Sequence, residues 1–173
     1  VQPGDTVLDL GAGTGYGSAL LGELVGPEGR VFGLEIDPSL VARGQAELEH
    51  LELPQVSLHS GNALDPGTWP ADAQQATKIT VGFALEQIPP AWFDTLGEGA
   101  VVVAPLAGLG GAGDGQVHLV RGTFRSGELE LETFEAVRYV PTRVDVPARE
   151  RETPALPRTE PKTGARAKLP VVS

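Results

Sequence analysis

A cluster of glycines near the start of the chain places the strongest constraint on its fold. Residues 9–16 read Asp-Leu-Gly-Ala-Gly-Thr-Gly-Tyr and follow a short apolar run, Thr6-Val-Leu-Asp-Leu10. The run predicts a buried strand, and the apolar spacing from residue 19 to residue 25 predicts a helix that ends at Gly26-Pro27. A strand, a glycine turn and a helix in this order are typical of nucleotide-binding α/β proteins.

The rest of the body alternates in the same way. Further strands are predicted at residues 30–35, 55–59, 78–82 and 100–105, with a helix from Pro38 and a short helix from Pro90 between them. Alternating strands and helices imply a mainly parallel sheet with helices on both faces. Residues 117–124 and 129–134 flank an Arg-Ser-Gly turn, which predicts a C-terminal antiparallel hairpin.

Composition divides the chain near residue 143. Beyond it the apolar periodicity ends and prolines fall among mixed charges, so we expect a domain over residues 1–143 and a disordered tail over 144–173. The whole chain has a formal net charge of −10. Because so acidic a body repels a phosphate backbone, nucleic acid is a poor candidate partner.

The remaining composition bears on location and on the start of the chain. There is no cysteine, no apolar run long enough to span a membrane and no secretory signal, so we expect a cytoplasmic protein without membrane contact or a metal site. We also expect a monomer. Methionine is also absent. We therefore interpret the chain as a fragment, a processed chain or one with a misplaced start.

The chemistry of the glycine turn depends on its spacing and on Glu35. Glu35 ends the next predicted strand about 20 residues on, where an acidic side chain can accept hydrogen bonds from ribose hydroxyls. The dinucleotide fingerprint needs glycine at its sixth position, and Tyr16 stands there. Glycine at 11, 13 and 15 after Asp9 instead favours a methyltransferase over a nicotinamide enzyme. A tight turn without a ligand is the structural alternative.

Several segments carry a resemblance to protein-L-isoaspartate O-methyltransferases. Val7–Tyr16 is similar to the first motif of that family, Gly33–Pro38 to the second and Ser60–Ala63 to the third. Later segments resemble the family over residues 82–90, 96–105 and 136–142. The resemblance covers residues 1 to about 143 and implies a Rossmann-like methyltransferase fold with S-adenosylmethionine as cofactor.

The resemblance also implies roles for individual residues. The methionine moiety of the cofactor would lie against Asp9, Gly11, Gly13, Thr14 and Gly15. Glu35 would bind the ribose and Ile36 the adenine, with Asn62 and Ala63 beside the adenine amine. The family has an aspartate where this chain has Asn62, whose amide oxygen still accepts a hydrogen bond but carries no charge.

The implied reaction is methylation of the carboxylate of an L-isoaspartyl residue in a damaged protein or peptide. No catalytic residue is assigned, because the acceptor is already ionised and its methylation depends mainly on alignment. Nothing in the sequence corresponds to the N-terminal segment that helps members of the family to hold the peptide. An adenine-N1 transfer RNA methyltransferase and a catalytically silent cofactor-binding or interaction module remain as alternatives.

Overall fold

The computed structural model describes residues 1–107, 116–125, 128–139 and 166–170. The chain forms two compact units, Val1–Val81 and Gly82–Ser173. No helix in the described part of the chain is long and apolar enough to cross a membrane. The first unit contains the glycine turn and all of the predicted site residues.

Four parallel strands form the sheet of the first unit. They are β1 (Thr6–Leu10), β2 (Arg30–Glu35), β3 (Val56–Ser60) and β4 (Lys78–Val81), in the order β3-β2-β1-β4. The predicted strands are therefore confirmed within a residue at each end. Because β2 and β4 lie on opposite sides of β1, the strand order reverses there, and α/β proteins bind ligands outside the carboxyl ends of the strands at such a point.

Two α-helices cover one face of this sheet. Helix α1 spans Tyr16–Val25 and helix α2 spans Pro38–His50. Asp37 caps α2, because its side chain accepts the Ser39 N–H at 2.8 Å, and Pro38 occupies the first turn, as the sequence predicts. Both helices contribute buried side chains to one apolar cluster with the strand residues Val7, Val31 and Val56.

The opposite face is covered by the connection between β3 and β4. Two short 3-10 helices, η1 (Pro66–Thr68) and η2 (Ala71–Gln75), occupy this connection in place of an α-helix. Leu8 and Leu34 are fully buried and point to this side, since successive strand residues alternate between faces. The α/β class is thus confirmed, with 3-10 helices as the cover of the second face.

The second unit is built mainly from antiparallel strands. They are β5 (Val101–Ala107), β6 (Val117–Arg125), β7 (Glu128–Val137) and β8 (Arg166–Pro170), each paired with the next. The β6–β7 pair confirms the predicted hairpin. Helix α3 (Ala91–Thr95) carries the fully buried Trp92.

Strand β8 falls inside the segment that the composition assigns to a disordered tail. Its backbone pairs with β7 from Glu128↔Pro170 to Glu132↔Arg166. The sequence did not predict this strand, because five residues bounded by charge and proline carry no clear alternation. The rest of residues 144–173 lies outside the described residues, and their assignment to a tail stays a prediction.

Candidate functional site

The glycine turn has a backbone that only glycine adopts readily. Gly11, Gly13 and Gly15 have φ values of 79°, 57° and 80°, in the left-handed region where a Cβ is disfavoured. Apart from Gly13 and its two chain neighbours, no heavy atom lies within 4 Å of the point where a Cβ on Gly13 would stand. The turn therefore leaves open space beside Gly13, as a site that receives a ligand requires.

Glu35 joins the glycine turn to the end of β2. Its Oε2 accepts the Gly13 N–H at 2.9 Å, and its Oε1 accepts the N–H groups of Ile36 and Asp37 at 2.9 and 3.1 Å. Two segments that are 22 residues apart in sequence are thus held together by one carboxylate. The structure brings Glu35 to the turn, as the spacing of the motif predicts.

Backbone hydrogen bonds bring the ends of three strands together. The Leu34 carbonyl accepts the N–H groups of Gly11 and Ala12 at 2.8 and 2.9 Å. The Glu35 carbonyl accepts the N–H of Gly61, just after β3, at 3.0 Å. The predicted segments at residues 11–15, 35–36 and 62–63 therefore lie along one edge of the sheet.

Asp9 lies beneath the turn rather than on its open side. The residue is only 6% exposed, and its Oδ2 accepts the Ser18 hydroxyl of α1 at 2.6 Å. Burial raises the pKa of the Asp9 carboxyl above its ordinary value, and the hydrogen bond from Ser18 partly opposes that rise. Contact between Asp9 and a cofactor stays a prediction, whereas the bond by which it joins the end of β1 to α1 is visible.

The adenine-side residues differ in exposure and bonding. Ile36 is 51% exposed, so an apolar surface lies open at the end of β2. Asn62 and Ala63 are half-buried, and the Asn62 Oδ1 accepts the Leu64 N–H at 3.0 Å. An amide oxygen has two lone pairs, so Asn62 keeps acceptor capacity for a ligand.

Leu58 supports the site from behind and was missed by sequence reasoning. A Cβ on Gly15, Gly33 or Gly44 would lie 2.9, 2.3 or 2.5 Å from a methyl group of Leu58. The Leu58 side chain therefore fills a pocket walled by the glycine turn, β2 and α2, which we call the three-glycine pocket. Gly33 lies inside a predicted strand, and glycine at such a position often marks a place where another group packs closely against the backbone. That was the sequence feature that could have indicated this packing.

The described residues contain no group of three or more His, Cys, Asp or Glu side chains arranged to hold a metal ion. Acidic side chains are also absent from the first turn of α1, and Gly15 provides no side-chain cap. Asp9, from β1, lies beside this turn and bonds the Ser18 hydroxyl, so the first backbone amides of α1 lack only a capping side chain from the helix itself. Such amides attract an anionic group on a ligand.

The strand order, the glycine turn and the acidic end of β2 define a protein of the Rossmann-like methyltransferase class. The model of the family described as "Protein-L-isoaspartate(D-aspartate) O-methyltransferase (PCMT)" matches residues 1–146. The chain belongs to this family.

Individual relatives agree with this assignment. The protein-L-isoaspartate O-methyltransferase of Koribacter versatilis is 34% identical over 142 residues, which are 82% of this chain and 59% of the relative. A demethylmenaquinone methyltransferase of Bacillus mycoides is 35% identical over 105 residues, 61% of this chain and 43% of the relative. The chain therefore spans less than two thirds of the length of either relative.

Solved structures show the same fold. A protein-L-isoaspartate O-methyltransferase matches with a TM-score of 0.70 at 23% identity, over 82% of this chain and 43% of that chain. A proposed enzyme of the same name from Plasmodium falciparum, in complex with S-adenosyl-L-homocysteine, matches with a TM-score of 0.65 at 19% identity. That match covers 81% of this chain and 66% of the other.

Proposed function

We propose that the protein transfers a methyl group from S-adenosylmethionine to the carboxylate of L-isoaspartyl residues in proteins or peptides. The observation that carries the proposal is the joining of the glycine turn to the end of β2 through Glu35. Family membership supports the acceptor, and a relative in complex with S-adenosyl-L-homocysteine supports the cofactor.

The donor set of the site fits this cofactor. The turn at Gly11–Gly15 and the first amides of α1 would hold the methionine end, where the cofactor carries a carboxylate. Glu35 would accept the ribose hydroxyls, and Ile36 would lie against the base beside Asn62 and Ala63. The open space at Gly13 gives the cofactor room beside the turn.

When bound, the cofactor supplies an activated methyl group on a sulfonium. The residues of this chain hold the cofactor in one orientation, and they do not need to remove a proton from a carboxylate acceptor at neutral pH. Alignment of two reactants can lower a barrier by about 7–11 kcal/mol. A site built from backbone amides, one carboxylate and a rigid turn is therefore sufficient for the cofactor half of this reaction.

The extent of the sequence matches favours the isoaspartyl acceptor over others. The match to the Koribacter versatilis relative covers 142 residues, whereas the match to the demethylmenaquinone methyltransferase covers 105. Both matches are too long to be confined to the cofactor-binding motifs, and the longer one shares more of the remaining chain with an isoaspartyl methyltransferase, which supports that acceptor. The net charge of −10 disfavours a nucleic acid substrate. The absence of cysteine supports a cytoplasmic location, and a monomeric state stays a prediction.

Binding and transfer are tested separately. We expect calorimetry to detect binding of S-adenosyl-L-homocysteine, and its absence in the folded protein would refute the cofactor assignment. We expect methyl ester to form on a peptide with an L-isoaspartyl residue and not on the matched aspartyl peptide. Cofactor binding with no transfer to either peptide would instead support a catalytically silent module.

A further inference from the structure

Backbone and side-chain hydrogen bonds fix the turn after β3. Gly61 N–H donates to the Glu35 carbonyl at 3.0 Å, which ties the start of the turn to the end of β2. Asp65 N–H donates to the Asn62 carbonyl at 3.0 Å and closes the turn on itself. These bonds define the shape of the turn at residues 61–65, which carries the predicted adenine-side residues.

Two side chains of the following segment bind the backbone of this turn. The Thr68 hydroxyl accepts the Asn62 N–H at 2.9 Å, and the Trp69 Nε1–H donates to the Asn62 carbonyl at 3.2 Å. The Thr68 hydroxyl also lies 2.8 Å from the Asp65 carbonyl and 3.1 Å from the Asn62 carbonyl. A hydroxyl has one proton, so it donates to one of these carbonyls at a time, while the indole N–H is always a donor.

Packing at Gly61 and Trp69 adds to these bonds. Trp69 is 5% exposed, and a buried indole N–H needs an acceptor. A Cβ on Gly61 would stand 3.1 Å from Leu34 Cδ2 and 3.2 Å from the Thr68 carbonyl oxygen. The turn is therefore held between β2 on one side and the residues of η1 on the other.

We propose that Trp69, assisted by Thr68, is a positioning residue that sets nucleobase selectivity through the turn at Asn62 and Ala63. The inference rests on the proposed function, because it takes these two residues as the adenine contacts. Trp69 acts through the Asn62 carbonyl and does not itself touch the base. The Asn62 carbonyl also accepts the Asp65 N–H and lies 3.1 Å from the Thr68 hydroxyl, so loss of the indole N–H removes one of three donors. The peptide unit then shifts toward the remaining two donors, which displaces the groups that face the base.

Selectivity is the readout that separates positioning from general stability. We expect the protein to bind S-adenosyl-L-homocysteine about tenfold more tightly than S-inosyl-L-homocysteine. The inosyl compound has a C6 carbonyl and an N1–H where adenine has the exocyclic amine and an N1 acceptor, so it loses the hydrogen bonds that only the adenine edge makes. Trp69→Phe keeps a buried ring and removes the N–H. We expect this variant to bind the inosyl compound as before and the adenosyl compound about tenfold more weakly.

Calorimetry with both compounds tests the proposal on the whole chain. Trp92→Phe is the matched control, because it replaces a buried indole outside the unit that holds the site, and its affinity ratio should equal that of the unmodified protein. Thr68→Val removes the hydroxyl and should lower the ratio, whereas Thr68→Ser should keep it. If Trp69→Phe does not fold, the two Thr68 variants give the same comparison.

The outcomes distinguish this proposal from the proposed function. Equal weakening of both compounds by Trp69→Phe, or by Thr68→Val if the former is unfolded, would overturn the positioning role. An unmodified protein that binds both compounds equally would also overturn it, because no base selectivity would exist to set. Failure to bind S-adenosyl-L-homocysteine at all would refute the cofactor assignment itself.

Discussion

Replacing Glu35 with alanine should weaken binding of S-adenosyl-L-homocysteine about 10- to 30-fold. Charge-assisted hydrogen bonds contribute about 1.5–3 kcal/mol, which alone corresponds to about 10- to 150-fold. The structure points to the lower end of that range. A carboxylate has about four acceptor positions, and the amides of Gly13, Ile36 and Asp37 occupy three of them. Two ribose hydroxyls must therefore displace one amide, which offsets part of the gain.

The same substitution should also lower stability. The bonds to Ile36 and Asp37 are exposed, so water replaces them at little cost, whereas the bond to Gly13 is partly buried and joins distant segments. We expect a loss of about 1 kcal/mol, seen as a decrease in melting temperature of about 2–8 °C. Glu35→Gln keeps one acceptor oxygen, which can serve either the Gly13 amide or those of Ile36 and Asp37, so its loss of stability should not exceed that of Glu35→Ala.

Calorimetry and thermal melts followed by circular dichroism measure both effects. Glu49→Ala is the matched control, since it removes one exposed glutamate of α2 and should change neither quantity. Unchanged affinity in a folded Glu35→Ala protein would exclude Glu35 from the site. An equal loss in Glu49→Ala would show a general effect of charge instead.

Two further substitutions test the support of the glycine turn. The pKa of Asp9 is raised in the folded protein. Above about pH 4 the folded state therefore keeps a proton that the unfolded state loses, and the free energy of unfolding falls as the pH rises through the raised pKa. Asparagine carries no charge to bury, so Asp9→Asn should raise the melting temperature at pH 7 and raise it by a smaller amount at pH 4. A melting temperature below that of the unmodified protein at pH 7 would contradict this reasoning. Gly44→Ala would usually stabilise a helix by about 1 kcal/mol, but its Cβ would lie 2.6 Å from the Thr14 carbonyl oxygen. We expect a clear decrease in melting temperature for Gly44→Ala, against an unchanged or raised value for Gly17→Ala, whose exposed helix position has no contact closer than 3.4 Å. A stabilised Gly44→Ala protein would disprove the packing argument.

The features predicted from sequence are those that depend on local pattern. The strand at Thr6–Leu10 and the hairpin strands follow from runs and alternation, and the cap at Asp37 follows from its Pro38 neighbour. Glu35 could be assigned to the site because strand ends in a parallel sheet share an edge. In each case the residues that produce the feature lie in a recognisable sequence pattern, so the pattern was enough to predict it.

Other features depend on contacts that no local pattern records. Ser18 bonds Asp9 only because one turn of α1 faces β1, and Trp69 reaches Asn62 only because η1 folds back on the preceding turn. The 3-10 helices are too short to show a period. Gly33 and Gly44 gave a partial signal, since glycine inside a strand or helix often marks a close approach, but they could not indicate which side chain fills the space.

The three-glycine pocket limits how this part of the chain can vary between related proteins. The methyl group of an alanine at position 33 would clash with the Leu58 side chain. A smaller residue at that position would leave a cavity unless one of the glycines becomes larger. These positions come from a turn, two strands and a helix, so compensating substitutions between them would lie far apart in sequence. Alanine at position 33 should thus be harmful beside Leu58, and alanine at position 58 should relieve only part of that harm, because the new methyl group would still lie 2.7 Å from Ser18 Oγ and 3.0 Å from Ala12 Cβ. A lineage that enlarges residue 33 must therefore also adjust the glycine turn and α1, not residue 58 alone.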